Sequence, residues 1–253
     1  MGLKVGIFSC KGGVGKSLIA VNLGAAMART SSEPTLVVDS NPALGTLDLL
    51  VDLESEYSWR DLIPVRDELT WSQIEIAVNL VEENFYLLTG PNSDPGSVEH
   101  SAEVKQLDDL VAALSGHFRQ VILDGFSLQD LGEVPFRNLD LILYIVTPDI
   151  SSVRSCTRYL QVNSEGALAA GVIVNQWFPE SVFNPVEIEK LAGIPVLGVL
   201  PIDGRSVWEN INLGKLIVSG KNNKLKKALM NLGRSLCKSS DKSKINRRGE
   251  KRP

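Results

Sequence analysis

The feature that most constrains this chain is the run Ser9-Cys10-Lys11-Gly12-Gly13-Val14-Gly15-Lys16-Ser17, set between an apolar segment and a helical one. Lys4–Ser9 reads as a buried strand, and Leu18-Ile19-Ala20-Val21-Asn22-Leu23 lies within a helix predicted over Gly15–Arg29. Glycines at 12, 13 and 15 let successive backbone N–H groups turn inward with no Cβ in the way. The helix N-terminus adds unsatisfied donors and the positive end of its dipole. Strand, loop and helix in that order form a phosphate cradle. Lys16 supplies a point charge for outer phosphates, and the Ser17 hydroxyl is placed to ligate Mg2+. The nucleotide-binding candidates here are Gly12, Gly13, Val14, Gly15, Lys16, Ser17 and Leu18.

The remainder alternates strand-like and helix-like segments. Thr35–Asp39, Phe85–Thr89, Val121–Asp124, Leu141–Val146, Val172–Asn175 and Val196–Leu200 are mostly continuous apolar runs, as strands buried on both faces of a parallel sheet require. Helices are predicted over Glu103–Leu114, Ser152–Gly166, Pro185–Leu191, Ser206–Asn212 and Asn223–Leu236. That order predicts an α/β fold, a single doubly wound domain with a mainly parallel sheet and a P-loop after strand 1. With 253 residues, 43% hydrophobic and 22% charged, the chain can fill such a core and is neither fibrous nor wholly disordered. No apolar run approaches the roughly 20 residues of a membrane span, and the opening Met-Gly-Leu-Lys-Val-Gly lacks a signal-peptide layout. Cys10, Cys156 and Cys237 make no CxxC pair, which fits a reducing cytosol and offers no ligand set for a metal cluster.

Charge divides along the chain. From Lys221 onward there are 12 Lys/Arg against 2 Asp/Glu, and before it 14 against 28, so the formal −4 joins an acidic body to a basic end. Charge blocks steer association. Leu225, Leu229, Leu232 and Leu236 form one helical stripe flanked by cations, either a last helix docked on the core or an amphipathic anchor on anionic lipid. Apolar residues run out near Lys238, which predicts a P-loop domain over 1–237 and a basic disordered tail over 238–253. The segment 221–253 is open to weak membrane or DNA contact, or serves only to solubilise.

Position 10 is Cys where the common Gly-x-x-x-x-Gly-Lys-Ser pattern has its first Gly, and Lys11 stands before the glycine pair. This arrangement resembles the deviant Walker A loop of the ParA/MinD ATPases. The resemblance implies ATP and Mg2+ as ligands, ATP hydrolysis, and an ATP-dependent homodimer in which Lys11 reaches the partner's phosphates. Plain solvation of Lys11 at the loop edge is the alternative. The family's order continues over about residues 3 to 236. Val37-Val38-Asp39-Ser40-Asn41-Pro42 is similar to its first switch, and Val121-Ile122-Leu123-Asp124 to its Walker B strand. Val172-Ile173-Val174-Asn175 resembles the strand whose terminal Asn reads the adenine edge, and Val199-Leu200-Pro201-Ile202-Asp203 the base-binding loop. By this resemblance Ser17, Asp39 and Asp124 set the metal and its waters, while Asn175, Pro201 and Asp203 meet the base. A strand-end cap or turn is the alternative for Asp39 and Asp124, and an ordinary turn for Asn175.

Within the family, Leu47-Asp48-Leu49-Leu50-Val51-Asp52-Leu53-Glu54, Tyr57–Leu62, Thr147–Arg154 and Glu187–Lys190 resemble the CpaE/TadZ branch, which localises Flp/Tad-type pilus assembly at the cell pole. That resemblance implies pilus machinery as the protein partner, and a cytoplasmic protein recruited to the inner face of the membrane or to a pole. Many CpaE/TadZ proteins carry an N-terminal receiver-like domain, which is not expected in a sequence that opens on the first ATPase strand. The alternatives are a ParA-type DNA-partitioning ATPase, a MinD-like membrane-associated ATPase and a non-hydrolysing scaffold.

Two departures bear on catalysis, for which Lys11, Lys16 and Asn41 are the candidates. The family's second switch acid falls at Asn41, and an amide can orient a water but cannot take its proton. Gly125-Phe126-Ser127 stands where the family often has a Pro-Pro turn. The expectation is a binding-competent switch that hydrolyses slowly. Cys10 is read as a small strand-end filler, with a reactive thiol as the alternative. His100 and His117 have no accompanying constellation, and Trp59, Trp71, Trp177 and Trp208 read as packing or partner surface.

Overall fold

The computed structural model describes residues 2–41, 45–92, 100–128, 134–163 and 169–249, the last stretch by backbone alone from 239 and the helix start at 100–102 likewise. Its strands are β1 (Leu3–Ser9), β2 (Thr35–Asp39), β3 (Asn79–Glu82), β4 (Phe85–Leu88), β5 (Gln120–Ser127), β6 (Leu141–Val146), β7 (Ala169–Trp177) and β8 (Val196–Pro201). They form one sheet in the order β3-β4-β2-β5-β1-β6-β7-β8, with every neighbouring pair parallel except β3 and β4. The chain leaves β1 toward β2 and later returns to its other side with β6. The loops at the C-terminal ends of β1, β2 and β5 therefore meet near a topological switch point, where open α/β sheets bind ligands. This is the single α/β domain that the strand and helix pattern predicts.

The helices are α1 (Lys16–Ser31), α2 (Trp59–Leu62), α3 (Trp71–Ala77), α4 (His100–Leu114), α5 (Ile150–Val162), α6 (Pro185–Ala192), α7 (Gly204–Ile211) and α8 (Lys224–Gly249). Residues of α1 and α8 share a core with Val5, Ile7 and Ile122 on one face of the sheet. Residues of α2 to α6 share another with Phe8, Val121 and Leu123 on the opposite face. Side chains alternate along each strand, so one run of Val, Ile and Leu feeds both layers. Gly24 lets α1 lie against the sheet, since a Cβ there would fall 2.4 Å from Val37 Cγ2.

Leu225, Leu229, Leu232 and Leu236 are all buried against α1 and the sheet. Gly233, which weakens an isolated helix, sits where α8 meets α1: a Cβ there would be 3.1 Å from Ala26 Cβ. The apolar stripe is thus a docked face and is already covered. The backbone stays helical to Gly249, beyond the expected end at Leu236 and into the stretch expected to be disordered from 238. From Arg234 to Arg248 neither Gly nor Pro interrupts it, and Lys and Arg are good helix formers. Residues 250–253 of that expected tail, Pro42 of the first switch, and the Gly166 end of the Ser152–Gly166 helix lie outside the described residues.

The short elements α2, α3 and β3 are additions to the predicted pattern. Ser58 and Thr70 cap α2 and α3 with reciprocal capping boxes through Asp61 and Gln73. Antiparallel β3 joins β4 through a two-residue turn in which Asn84 takes φ 60°, a left-handed conformation Asn tolerates.

Candidate functional site

The phosphate loop links the end of β1 to the start of α1. Gly13 and Gly15 have φ of 73° and 90°, where a β-carbon is strained. Space around Gly12 and Gly13 is open, whereas a Cβ on Gly15 would come within 2.7 Å of Asn175 Nδ2. Gly15 caps α1 without a side chain, and the first turn holds no acid, so the helix presents bare N–H groups to the loop interior. Lys16 Nζ lies 3.1 Å from Ser9 Oγ, which itself donates to Lys11 O at 2.7 Å. Burial lowers the Lys16 pKa, against the pull of the Asp124 carboxylate.

Asp39 and Asp124 are Cα partners across β2 and β5, so two carboxylates stand side by side, Asp39 at the end of β2 and Asp124 within β5 before its bulged end. Asp39 accepts from the backbone N–H groups of Asn41 (3.0 Å), Thr46 (2.8 Å) and Leu47 (3.2 Å). Those bonds give Asp39 a turn-forming role, and burial raises its carboxyl despite them. Asp124 is buried and is pushed up to about 7, first by burial and then by Asp39, against a hydrogen bond from Ser17 and the charge of Lys16. Its Oδ1 is buried with no hydrogen-bond partner. A hard cation would neutralise this pair, and an unsatisfied carboxylate oxygen beside a serine hydroxyl is a donor set suited to Mg2+ held jointly with phosphates. Residues Ser17 and Asp124 therefore fit the metal, with Asp39 behind them. Asn41 is exposed at the end of the described part of the first switch.

Lys11 Nζ pairs with Asp149 Oδ1 at 3.1 Å, both side chains being partly exposed. Asp149 also caps α5, accepting from Ser152 N at 3.0 Å. Burial raises its carboxyl, but hydrogen bonds from Thr147, Ser152 and Lys11 outweigh that and hold it below the ordinary value. Sequence reasoning did not single out this partner, although an Asp three residues before Ser at a helix start is a legible cap.

A cavity of about 220 Å3 opens beside the loop, lined by Gly15, Leu18 and Ile19, by Asn175, Gln176, Pro201 and Asp203, and by Trp208 and Leu229. The three expected base-binding residues thus converge on one space next to the phosphate loop. Asn175 Nδ2 donates to Val14 O at 2.8 Å, tying β7 to the loop. Asp203 also caps α7, accepting from Ser206 N at 3.2 Å. Trp208, Leu225 and Leu229 line the same space and carry no motif that would announce them.

Cys10 lies in the core with Cys156, and Cys156 is pushed well above the ordinary thiol range by its contact with Cys10 and by burial, which fits the filler reading. The ring of His117 meets Leu69 O at 3.1 Å, a structural tie. The His100 side chain lies outside the described residues. Trp59 is buried in the core, whereas Trp208 is exposed. Among the described residues, no three His, Cys, Asp or Glu side chains gather to hold a metal by themselves, and no helix is long and apolar enough to cross a membrane.

Comparison with known proteins agrees with this geometry. Residues 5–207 match the family described as the CobQ/CobB/MinD/ParA nucleotide binding domain. A septum site-determining protein MinD of Synechocystis is 28% identical over 222 residues, covering 84% of this chain and 80% of the relative. The crystal structure of a ParA family ATPase from Chlorobium tepidum superposes with a TM-score of 0.80 at 22% identity, over 92% of this chain and 99% of the other. MinD from Pyrococcus horikoshii, complexed with Mg-ADP, superposes with a TM-score of 0.76 at 23% identity, over 93% and 96%. These two share the fold. From the sheet, the loop and the matched residues together, the chain belongs to the CobQ/CobB/MinD/ParA nucleotide-binding domain family of P-loop ATPases.

Proposed function

We propose that this protein is a MgATP-dependent switch whose triphosphate-bound form dimerises and recruits or places a partner assembly. The observation that carries the reading is the enclosed Asp124, its Oδ1 unpaired, standing beside Ser17 and a phosphate loop of bare N–H groups. In this reading the loop backbone and Lys16 hold the phosphates, and Ser17 and Asp124 hold Mg2+ with Asp39 fixing the first switch behind them. When bound, the cation supplies charge neutralisation at the outer phosphates. Asn175, Pro201 and Asp203 border the base. Lys11 leaves Asp149 to reach the partner's phosphates. Asn41 orients water without accepting its proton, so hydrolysis is slow until a partner assists. A relative's complex with Mg-ADP supports the ligand class.

The chain is similar to MinD and ParA-type proteins, so the MinD-like and ParA-like readings stand at least as near as the CpaE/TadZ one. The pilus assembly implied by the CpaE/TadZ stretches is the narrower form of the proposal, with recruitment to a pole or the inner membrane face. A second reading has a specific support. Since the leucine stripe of α8 is covered while Lys224, Lys227, Arg234 and Lys238 are exposed, the basic end suits electrostatic contact with a polyanion such as DNA better than lipid insertion.

The test is sedimentation of wild-type protein and Lys11→Ala with a non-hydrolysable ATP analogue or ADP, both with Mg2+. The expected result is a dimer with the analogue alone, lost in Lys11→Ala. A monomer throughout overturns the dimer, and absence of nucleotide binding by calorimetry overturns the switch.

A further inference from the structure

The end of β5 carries a one-residue bulge. Ile7 pairs with Asp124, but Ser9 pairs with Ser127, so two residues of β1 span three of β5. Successive side chains on a strand alternate faces, and without the extra residue Ser127 would project opposite to Asp124. The bulge restores the phase and brings Ser127 onto the face that holds Ser9 and Asp124. Bulges commonly re-aim a side chain at a site.

Two packing features hold this geometry. Gly125 runs against Phe8, where a Cβ would lie 2.4 Å from the ring. Phe126 is anchored on the far face, edge-on to Phe8 with ring centroids 6.2 Å apart. Ser127 Oγ is buried, and among the described residues it has no hydrogen-bond partner. A buried hydroxyl left unpaired costs stability that a Gly-Phe-Ala turn would spare. Its neighbour across the ladder, Ser9, contacts Lys16 Nζ at 3.1 Å. Adjacent strands stand about 4.8 Å apart, so Ser127 and Ser9 are neighbours on the face from which Lys16 meets Ser9.

We infer that the Ser127 hydroxyl is a phosphate-recognising group, donating to the terminal phosphoryl of a bound nucleoside triphosphate and thereby distinguishing triphosphate from diphosphate. The inference rests on the proposed nucleotide switch and adds a residue to it. It also gives the departure at Gly125-Phe126-Ser127 a purpose: the chain gains a hydroxyl donor at the bulged end of β5.

The experiment is calorimetric titration of wild type, Ser127→Ala, Ser127→Cys and Ser127→Thr with a non-hydrolysable ATP analogue and with ADP, each with Mg2+. Thermal melts run alongside to confirm folding. Ser127→Ala should bind the triphosphate analogue about tenfold more weakly, the size of a hydrogen bond to a charged acceptor, with ADP unchanged within about twofold. Ser127→Thr should restore the difference. Ser127→Cys, close in size but a weak donor, should repeat the loss and decides the matter if the alanine variant does not fold. Unchanged triphosphate affinity, or equal losses for both nucleotides, overturns the inference. If wild type binds neither nucleotide, the switch reading fails and takes this inference with it.

Discussion

Lys11 and Asp149 form an ion pair of 3.1 Å across 138 residues of sequence, joining the phosphate loop to the first turn of α5. The lysine expected to act on a partner's phosphates is held within its own chain, by a carboxylate that also caps a helix. Reaching across a dimer therefore competes with this pair. Because both side chains are partly exposed, solvent screening limits the pair to about 1 kcal/mol or less.

Asp149→Asn keeps a capping side chain and removes the charge. It should tighten the ATP-analogue dimer by up to about fivefold per protomer, measured as dimer dissociation constant by sedimentation at low salt, with the difference shrinking as salt rises. Equal dimerisation of variant and wild type at every salt concentration would show that the pair is not in competition.

Asp124 gives a pH prediction. Its folded-state carboxyl is raised to about 7, so the folded protein holds that proton more tightly than the unfolded chain. Its contribution to stability therefore falls as pH rises from the ordinary carboxylate range through about 7. Asp124→Asn should stabilise nucleotide-free protein at pH 8 by about 1–3 kcal/mol and flatten this part of the profile. The same variant should lose the Mg2+-dependent part of nucleotide stabilisation. Denaturant melts at pH 5.5 and 8, with and without MgADP, read both effects.

Gly15→Ala probes the loop. The substitution meets both a φ of 90° and Asn175 Nδ2 at 2.7 Å, so it should cost about 1–3 kcal/mol of stability. It should also weaken nucleotide binding severely, because it displaces the residue that starts α1. Chemical denaturation and calorimetry together separate the two losses.

The basic end divides at Lys238. Ending the chain there removes Lys242, Lys244, Arg247, Arg248, Lys251 and Arg252 but none of the leucines that α8 buries. Stability should stay within about 0.5 kcal/mol, while any salt-sensitive retention on DNA or anionic vesicles falls. Ending it at Gly220 should unfold the domain, since Leu225, Leu229, Leu232 and Leu236 belong to the core. Leu229→Ala alone should cost about 2–5 kcal/mol in denaturant melts.

Much of the fold is legible in sequence because its information is local. The run Ser9–Ser17 is one strand end, one loop and one helix start, and Gly13 and Gly15 fall where φ is 73° and 90°. Continuous apolar strands such as Thr35–Asp39 announce burial on both faces. The short α2, α3 and β3 are harder to read because fewer than two turns or five residues give periodicity little to work on. The tail beyond Lys238 reads as disordered from its composition, yet unbroken helix-forming residues let α8 continue.

The phosphate loop, the order of the longer strands and helices, and the acidic body with its basic end are all legible along the chain, since each is written in contiguous residues. What lies beside what is set by packing between segments distant in the chain. That packing set Asp39 against Asp124 through strand register, Lys11 against Asp149 through the placement of α5, and Ser127 beside Ser9 through a one-residue bulge. It also decided that the leucine stripe of α8 faces α1 and not a membrane. Amphipathic spacing specifies that a face will be covered, while the covering surface is assembled from residues distant in the chain.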